Sequence, residues 1–228
     1  DNVVVSVDGS AEAARSVTLS NITVAIHSKI TQRTSQRAPL EKVKARSSTV
    51  SPNLYFKRTK PLAWAQSFGG RFDRDAEGGA GALAYEHDFV GGNLGYEWDL
   101  ETTHVGLVGG VVNSQTDSKI KSFSTDTDHF YFGGYGSRQL QGFFITASLL
   151  AGYGTHDNER LVFDNLNGKQ KAKSDSNSIF ISPSITIASA YRVNSHLELR
   201  PSVNLAYSIA WLDGYSESGT TLSNLKVN

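Results

Sequence analysis

The feature that most constrains the fold of this chain is an alternation of apolar and polar residues in its last two thirds. Because successive side chains of a β-strand point to opposite faces of a sheet, alternation assigns each residue to one face. In segment 196–209 the apolar face carries Leu197, Leu199, Pro201, Val203, Leu205, Tyr207 and Ile209. The other face carries Glu198, Arg200, Ser202, Asn204 and Ser208. This pattern predicts a strand with one apolar and one polar face.

The length of such segments indicates where the strands lie. Segment 177–193 repeats the division, and only Asn194 and Ser195 separate it from segment 196–209. Strands of soluble domains are usually about 5 to 6 residues long, whereas a tilted membrane strand needs about 9 to 11. The alternation here persists for about 14 residues. The lengths therefore favour an all-β, transmembrane antiparallel β-barrel with a lipid-facing apolar surface and a polar interior.

Seven clear strands are expected along the chain. They are predicted at 63–70, 84–98, 103–116, 128–140, 143–163, 177–193 and 196–212. Turn-rich intervals separate some of them, notably RDAEGGAG, QTDSKIKSFSTDTD and DNLNGKQKAKSDSN, whereas only Gln141 and Gly142 separate two others. Long loops at one end and short turns at the other are typical of outer-membrane barrels.

Composition narrows the possible classes of protein. A chain of 228 residues without cysteine is expected to form one domain with no disulfide framework. The net charge of zero gives no support for binding nucleic acid. The chain contains no methionine and begins at Asp1 without a signal peptide, so we expect it to be a processed or excised piece of a longer protein.

The residues before the barrel show a different periodicity. Leu19, Ile22, Ile26 and Ile30 recur at intervals of three and four residues, which places them on one side of a helix within 11–33. The following residues, to Pro61, are basic and rich in polar side chains, as expected of a linker. We therefore expect residues 1–10 to be a separate remnant, 11–61 a helical segment and linker, and 62–228 the barrel domain.

A family resemblance rests on several motifs that occur in a fixed order. They are AWAQSFGG, GGNLGYEW, THVGLVGGVVNSQTDSK, FYFGGYGS, GFFITASLLAGYGTHDNERLVF, SPSITIASAYRV and HLELRPSVNLAYSIAWLDGYSESG. Together they resemble the translocator (β) domain of monomeric, type Va autotransporters of Gram-negative bacteria. This resemblance implies a barrel in the bacterial outer membrane, threaded by a helix that joins it to an exported passenger, of which residues 1–10 would be the remnant.

The resemblance also implies partners and a strand number. Its partners would be outer-membrane lipids, its own passenger and, during biogenesis, the barrel-assembly machinery. Family barrels have about a dozen strands, and here the start of an eighth strand is expected at 220–227. Because unpaired strand edges are not tolerated in hydrocarbon, another chain or segment is expected to complete the barrel.

Candidate functional residues follow from the predicted faces. The expected lumen-facing charges are Glu97, Arg192, Glu198 and Arg200. Glu97 and its neighbour Asp99 are the expected partners of Lys29 or Arg33 of the helix. The pore-helix candidates are Leu19, Ile22, Ile26 and Ile30. Aromatic residues near strand ends are typical of a membrane-interface girdle. The girdle candidates are Trp64, Tyr96, Trp98, Tyr191 and Tyr207.

No enzymatic, metal or cofactor site is expected. The six histidines are dispersed, without HxH or HxxxH spacing, and are interpreted as solvated rim residues. No GxSxG motif occurs, and the Asn-Asn pair at which some autotransporters cut themselves is also missing. The sequence predicts an outer-membrane translocator that exports and anchors a passenger. The alternatives are a porin-like or adhesin-like barrel without a passenger and a soluble β-sandwich binding module.

Overall fold

The computed structural model of this chain describes residues 10–36, 41–42, 62–75, 84–100, 103–140, 143–164, 168–189, 191–192, 197–221 and 223–227. The expected passenger remnant therefore lies outside the described residues except for Ser10, and so does most of the expected linker. The described residues form one helix and a set of strands, as the sequence predicted. The strand pairs are antiparallel except for one short parallel pair, Glu41–Lys42 with Tyr191–Arg192.

The helix α1 covers Ser10–Gln36. Its last turn contains Arg33, a favourable position for a cation beside the partial negative charge of the helix C-terminus. Within the described chain, no helix has the length and apolar character required to cross a membrane.

The strands are β1 Glu41–Lys42, β2 Leu62–Arg74, β3 Tyr85–Leu100, β4 Thr103–Ser118, β5 Phe123–Leu140, β6 Phe143–Asp164, β7 Gly168–Ser189, β8 Tyr191–Arg192, β9 Glu198–Leu199, β10 Ser202–Ala206, β11 Ile209–Leu212, β12 Tyr215–Ser216 and β13 Lys226–Val227. An eight-stranded sheet runs in the order β10-β7-β6-β5-β4-β3-β2, with β11 also paired to β7. Among the described residues this sheet is not closed, because β2 pairs only with β3. Each pair of neighbours in β2 to β7 is antiparallel and joined by one hairpin.

The two faces of the sheet differ in what covers them. One face, here called the inner face, packs on α1. The opposite, outer face exposes large apolar side chains on every long strand from β3 to β7, for example Leu94, Leu107, Phe132, Leu149 and Ile185. Contiguous apolar surface of this extent is what a lipid-facing barrel wall presents.

Three strands continue far beyond the length that a membrane requires. β5 has 18 residues, and β6 and β7 have 22 each, against about 11 for a membrane crossing. The intervals 115–128 and 164–177, expected as loops, are therefore mostly paired strand, and their described residues include a turn at 119–122. Both faces of these extensions are rich in polar residues, so the apolar signal that identifies a strand is lost.

Charged side chains mark the outer face of the extensions. Glu159 lies 2.8 Å from the ammonium of Lys171 and 2.5 Å from that of Lys173. These two hydrogen-bonded ammonium groups lower the pKa of Glu159 to about 2. The contribution of this pairing to stability is therefore complete above the ordinary value of 4.5 and is lost as the pH falls toward 2.

A titration tests the pairing of Glu159 with Lys171 and Lys173. We expect the carboxyl carbon resonance of Glu159 to show a midpoint near pH 2, and the double variant Lys171→Gln/Lys173→Gln to return the midpoint toward 4.5. A wild-type midpoint near 4.5 would contradict the pairing.

The last predicted strand, 196–212, is interrupted. It forms β9, β10 and β11, with breaks at Arg200-Pro201 and at Tyr207-Ser208. Pro201 has no backbone N–H and is confined to edge or irregular positions of a sheet, although its carbonyl oxygen accepts a bond from the amide of Ser189. The strand expected at 220–227 is reduced to β13, which pairs with β12 in a small hairpin.

Candidate functional site on the inner face of the sheet

The centre of the inner face is an apolar contact between the helix and the sheet. The four predicted pore-helix residues, Leu19, Ile22, Ile26 and Ile30, are at most 6% exposed. They form one cluster with wall residues of β2 to β7, namely Trp64, Phe68, Phe89, Val108, Val112, Tyr131, Tyr135, Leu150 and Phe180. Burial of each isoleucine stabilises the docked helix by roughly 1.5 to 3 kcal/mol.

A second stripe of the helix binds the wall through hydrogen bonds. Thr23 contacts Ser208 at 2.8 Å, and the two ring nitrogens of His27 contact Ser148 at 2.8 Å and Ser182 at 3.0 Å. Further along the helix, Thr31 contacts Thr186 at 3.0 Å and Thr34 contacts Thr146 at 3.1 Å. Toward the other end, Thr18 contacts Thr116 at 3.3 Å. The helix is therefore held along most of its length by short hydroxyl and imidazole contacts.

The strongest polar contact joins Arg33 of the helix to Glu97 of β3. The Nε and Nη2 atoms of Arg33 donate to the two carboxylate oxygens of Glu97 at 2.6 and 3.3 Å. The hydroxyl of Tyr135 donates to Glu97 at 2.5 Å and accepts from the indole N–H of Trp64 at 3.1 Å. The Arg33 guanidinium also lies 4.7 Å from the centre of the Trp64 ring. Of the two helix partners expected for Glu97, the structure contains the pair with Arg33.

Trp64 was expected in the membrane-interface girdle, and this expectation is wrong. Its side chain is 8% exposed and belongs to the inner cluster. The reason is its partner in β3, Gly95, which has no side chain and leaves room for the indole ring on the inner face. In β2 the alternation is ambiguous, because few polar residues mark either face.

The other predicted residues occupy varied places. Tyr96 and Tyr207 are exposed on the outer face, Tyr191 is 39% exposed, and Trp98 packs edge-on against Tyr96. Arg200 is exposed. The backbones of Arg192 and Glu198 lie in β8 and β9, and their side chains lie outside the described residues.

The positions of four histidines contradict the prediction that the histidines are solvated. His27, His87, His129 and His156 are at most 5% exposed, so they are not solvated rim residues. His87 and His156 contact Thr116 and Thr127, both at 3.0 Å, and His129 lies edge-on to His156. Sequence spacing missed these residues because they meet across strands. Within the described part of the chain, no group of three or more His, Cys, Asp and Glu side chains has the arrangement of a metal site.

Glycines on the inner face make room for the aromatic rings of neighbouring strands. Gly106 of β4 pairs with Tyr135 of β5, and a Cβ atom at Gly106 would lie 2.6 Å from the Tyr135 hydroxyl oxygen. Gly106→Val is therefore expected to displace the ring from Glu97 and to lower the free energy of unfolding by about 1 to 3 kcal/mol.

The matched control for this substitution is Gly109→Val on the same strand. A Cβ atom there would meet only the carbonyl oxygen of Tyr131, at 3.5 Å. Urea unfolding of the two variants in lipid vesicles measures the difference, and equal midpoints for both would contradict the proposed clash.

Comparison with known proteins identifies the family to which this chain belongs. A search of curated proteins found no significant match. Among solved structures, the translocator domain of the autotransporter NalP from Neisseria meningitidis is similar with a TM-score of 0.55 and 14% identity, and the match covers 73% of this chain and 56% of that one. The β-domain of the Bordetella autotransporter BrkA gives a TM-score of 0.34 at 12% identity, over 73% and 89% of the respective chains.

The chain thus matches about half the length of the NalP domain. The family model described as the autotransporter β-domain matches residues 63–228, which is most of the chain and includes every long strand. This chain therefore belongs to the autotransporter β-domain family of the bacterial outer membrane.

Proposed function

We propose that this chain exports a passenger polypeptide through the outer membrane and then anchors it there, with α1 remaining in the barrel as a plug. The observation that carries the proposal is the docking of α1 on the inner face by an apolar stripe, a row of hydrogen bonds and the Arg33–Glu97 ion pair. A helix bound in this way occupies the inner face and leaves the apolar outer face to lipid. The family match supports the same function.

In this proposal residues 1–10 belong to the passenger remnant, 11–61 form the helix and linker, and 62–228 form the barrel domain. The partners are outer-membrane lipids, the passenger and the barrel-assembly machinery, with another chain or segment completing the sheet. The lumen charges are Glu97, Arg192, Glu198 and Arg200. The family is a secretion domain, and catalysis is not part of the proposal.

The alternative of a porin-like or adhesin-like barrel without a passenger predicts a helix outside the barrel and an open pore. The position of α1 on the inner face disfavours it. A soluble β-sandwich is contradicted by the family match and by a sheet that covers its inner face with a helix rather than with a second sheet.

An export assay tests the proposal. A folded reporter domain is fused before Asp1 in the full-length protein, and intact cells are treated with a protease that does not cross the outer membrane. We expect the protease to release the reporter from the cell surface while the barrel remains in the membrane. A barrel that is assembled in the outer membrane but leaves the reporter protected in the periplasm would overturn the proposal.

A further inference from the structure

The helix carries three rows of side chains that repeat every four residues. The apolar row is Ile22, Ile26 and Ile30, the hydrogen-bonding row is Thr23, His27 and Thr31, and the basic row is Lys29 and Arg33. Four residues of an α-helix correspond to about 6 Å along its axis and a residual rotation of about 40°. A screw movement by this amount therefore places each member of a row where its neighbour was.

The wall of the barrel offers matching partners after such a movement. If α1 moves toward the end of the sheet where Thr146 lies, Thr23 takes the place of His27 beside Ser148 and Ser182. His27 then takes the place of Thr31 beside Thr186, which an imidazole nitrogen can also contact. Ile22 and Ile26 take the places of Ile26 and Ile30, so two of the three positions of the apolar row keep an isoleucine. Thr18 takes the place of Ile22, and Leu19 takes the place of Thr23 beside Ser208, where the hydrogen bond is lost.

Glu97 distinguishes the two positions of the helix. In the observed position it binds Arg33 through two hydrogen bonds. In the shifted position Lys29 would face Glu97 with a single ammonium group, which lacks the planar, two-pronged geometry of a guanidinium. Thr34 would also leave Thr146, although Thr146 would keep its bond of 3.1 Å to Ser137. The shifted position is therefore weaker than the observed one but remains bonded.

We propose that the pore helix has two seatings in the barrel, one helical turn apart, and that Glu97 is the positioning residue that selects between them by binding Arg33 or Lys29. This inference rests on the proposed function, because it requires α1 to lie inside the barrel. Matched side chains at two discrete positions are the physical basis of one-turn shifts between packed elements. The helix then has two positions along the barrel, and the carboxylate of Glu97 determines which one is occupied.

Disulfide cross-linking distinguishes the seatings, and residues 1–228 contain no native cysteine. A cysteine at Thr146 is combined with a second cysteine at either Thr34 or Ile30, in the full-length protein assembled in outer membranes. Thr34→Cys reports the observed seating, because the two threonine oxygens are 3.1 Å apart. Ile30→Cys reports the shifted seating.

We expect the Thr34 pair to cross-link when Arg33 is present, and Arg33→Ala to raise the ratio of the Ile30 cross-link to the Thr34 cross-link about tenfold. Arg33→Lys is expected to restore the Thr34 cross-link, because an ammonium at this position still reaches Glu97. Arg33→Ala/Lys29→Ala is expected to lose the increase, because neither basic side chain remains.

Two results would count against the inference in different ways. If the Thr34 pair forms but Arg33→Ala leaves the ratio unchanged, the second seating does not exist and the plug proposal stands. If neither pair forms with Arg33 present, α1 is not on the inner face in the membrane, and both proposals are overturned.

Discussion

Replacing Glu97 with alanine is expected to open the pore of the barrel, because the pore helix is released from the inner face. Glu97 is 3% exposed and Arg33 is 23% exposed, so the substitution leaves a mostly buried guanidinium without its carboxylate. It also removes the acceptor of the Tyr135 hydroxyl. Breaking a fully buried pair costs about 3 to 5 kcal/mol, and partial exposure of Arg33 reduces this to about 2 to 3 kcal/mol.

Such a loss of docking free energy corresponds to an increase of about 100-fold in the fraction of undocked helix. Single-channel recordings in planar bilayers measure this fraction as the time spent in the conducting state. The matched control on the same strand is Glu86→Ala, because Glu86 forms an exposed pair with Arg71 at 2.7 Å that contributes little. An open fraction for Glu97→Ala within twofold of wild type would exclude the ion pair as a determinant of docking.

Placing a charge in the apolar stripe of the helix is expected to have an effect of similar size. Ile26 is fully buried against the wall, and Ile26→Asp would place an ionised carboxylate among apolar side chains without a partner. We expect the helix to leave the inner face and its amides to exchange with solvent at least about 100 times faster, as in other locally opened elements.

Val24→Asp is the control for this substitution. Val24 lies two residues away on the same helix and is 47% exposed, so a carboxylate there remains solvated. Hydrogen exchange followed by mass spectrometry reports the helix and the sheet separately. Equal exchange of the helix in both variants would show that the apolar stripe does not hold it.

Sequence alternation identified most of the long strands because one face of each meets lipid or the helix. It failed where that asymmetry ends. In the extensions beyond the apolar part of the outer face, residues such as Thr125, Asp126 and Thr127 alternate between the two faces, although all three are polar. Their pairing with β6 continues without an apolar signal, so the sequence predicted a loop in this part of β5 where the structure has strand.

In the candidate site, the sequence was also insufficient to assign some single residues to the inner or the outer face. Leu149 and Leu150 are adjacent and chemically identical, yet Leu149 is 54% exposed and Leu150 is fully buried. Only strand register assigns them to opposite faces. Trp64 and the buried histidines were misplaced for the same reason, since their environments depend on Gly95, Thr116 and Thr127 of neighbouring strands. The helix row was predictable because its spacing is local.

Accessibility of nitroxide spin labels tests the central claim that the outer face lies in lipid. Leu149 and Asp157 lie on the outer face of β6. Leu149 lies among the exposed apolar side chains of that face, and Asp157 lies in the polar extension of the strand. With labels at Leu149→Cys and Asp157→Cys in bilayers, we expect oxygen to relax the Leu149 label and an aqueous nickel chelate to relax the Asp157 label. A nickel chelate that reaches both labels equally would contradict a membrane-spanning sheet.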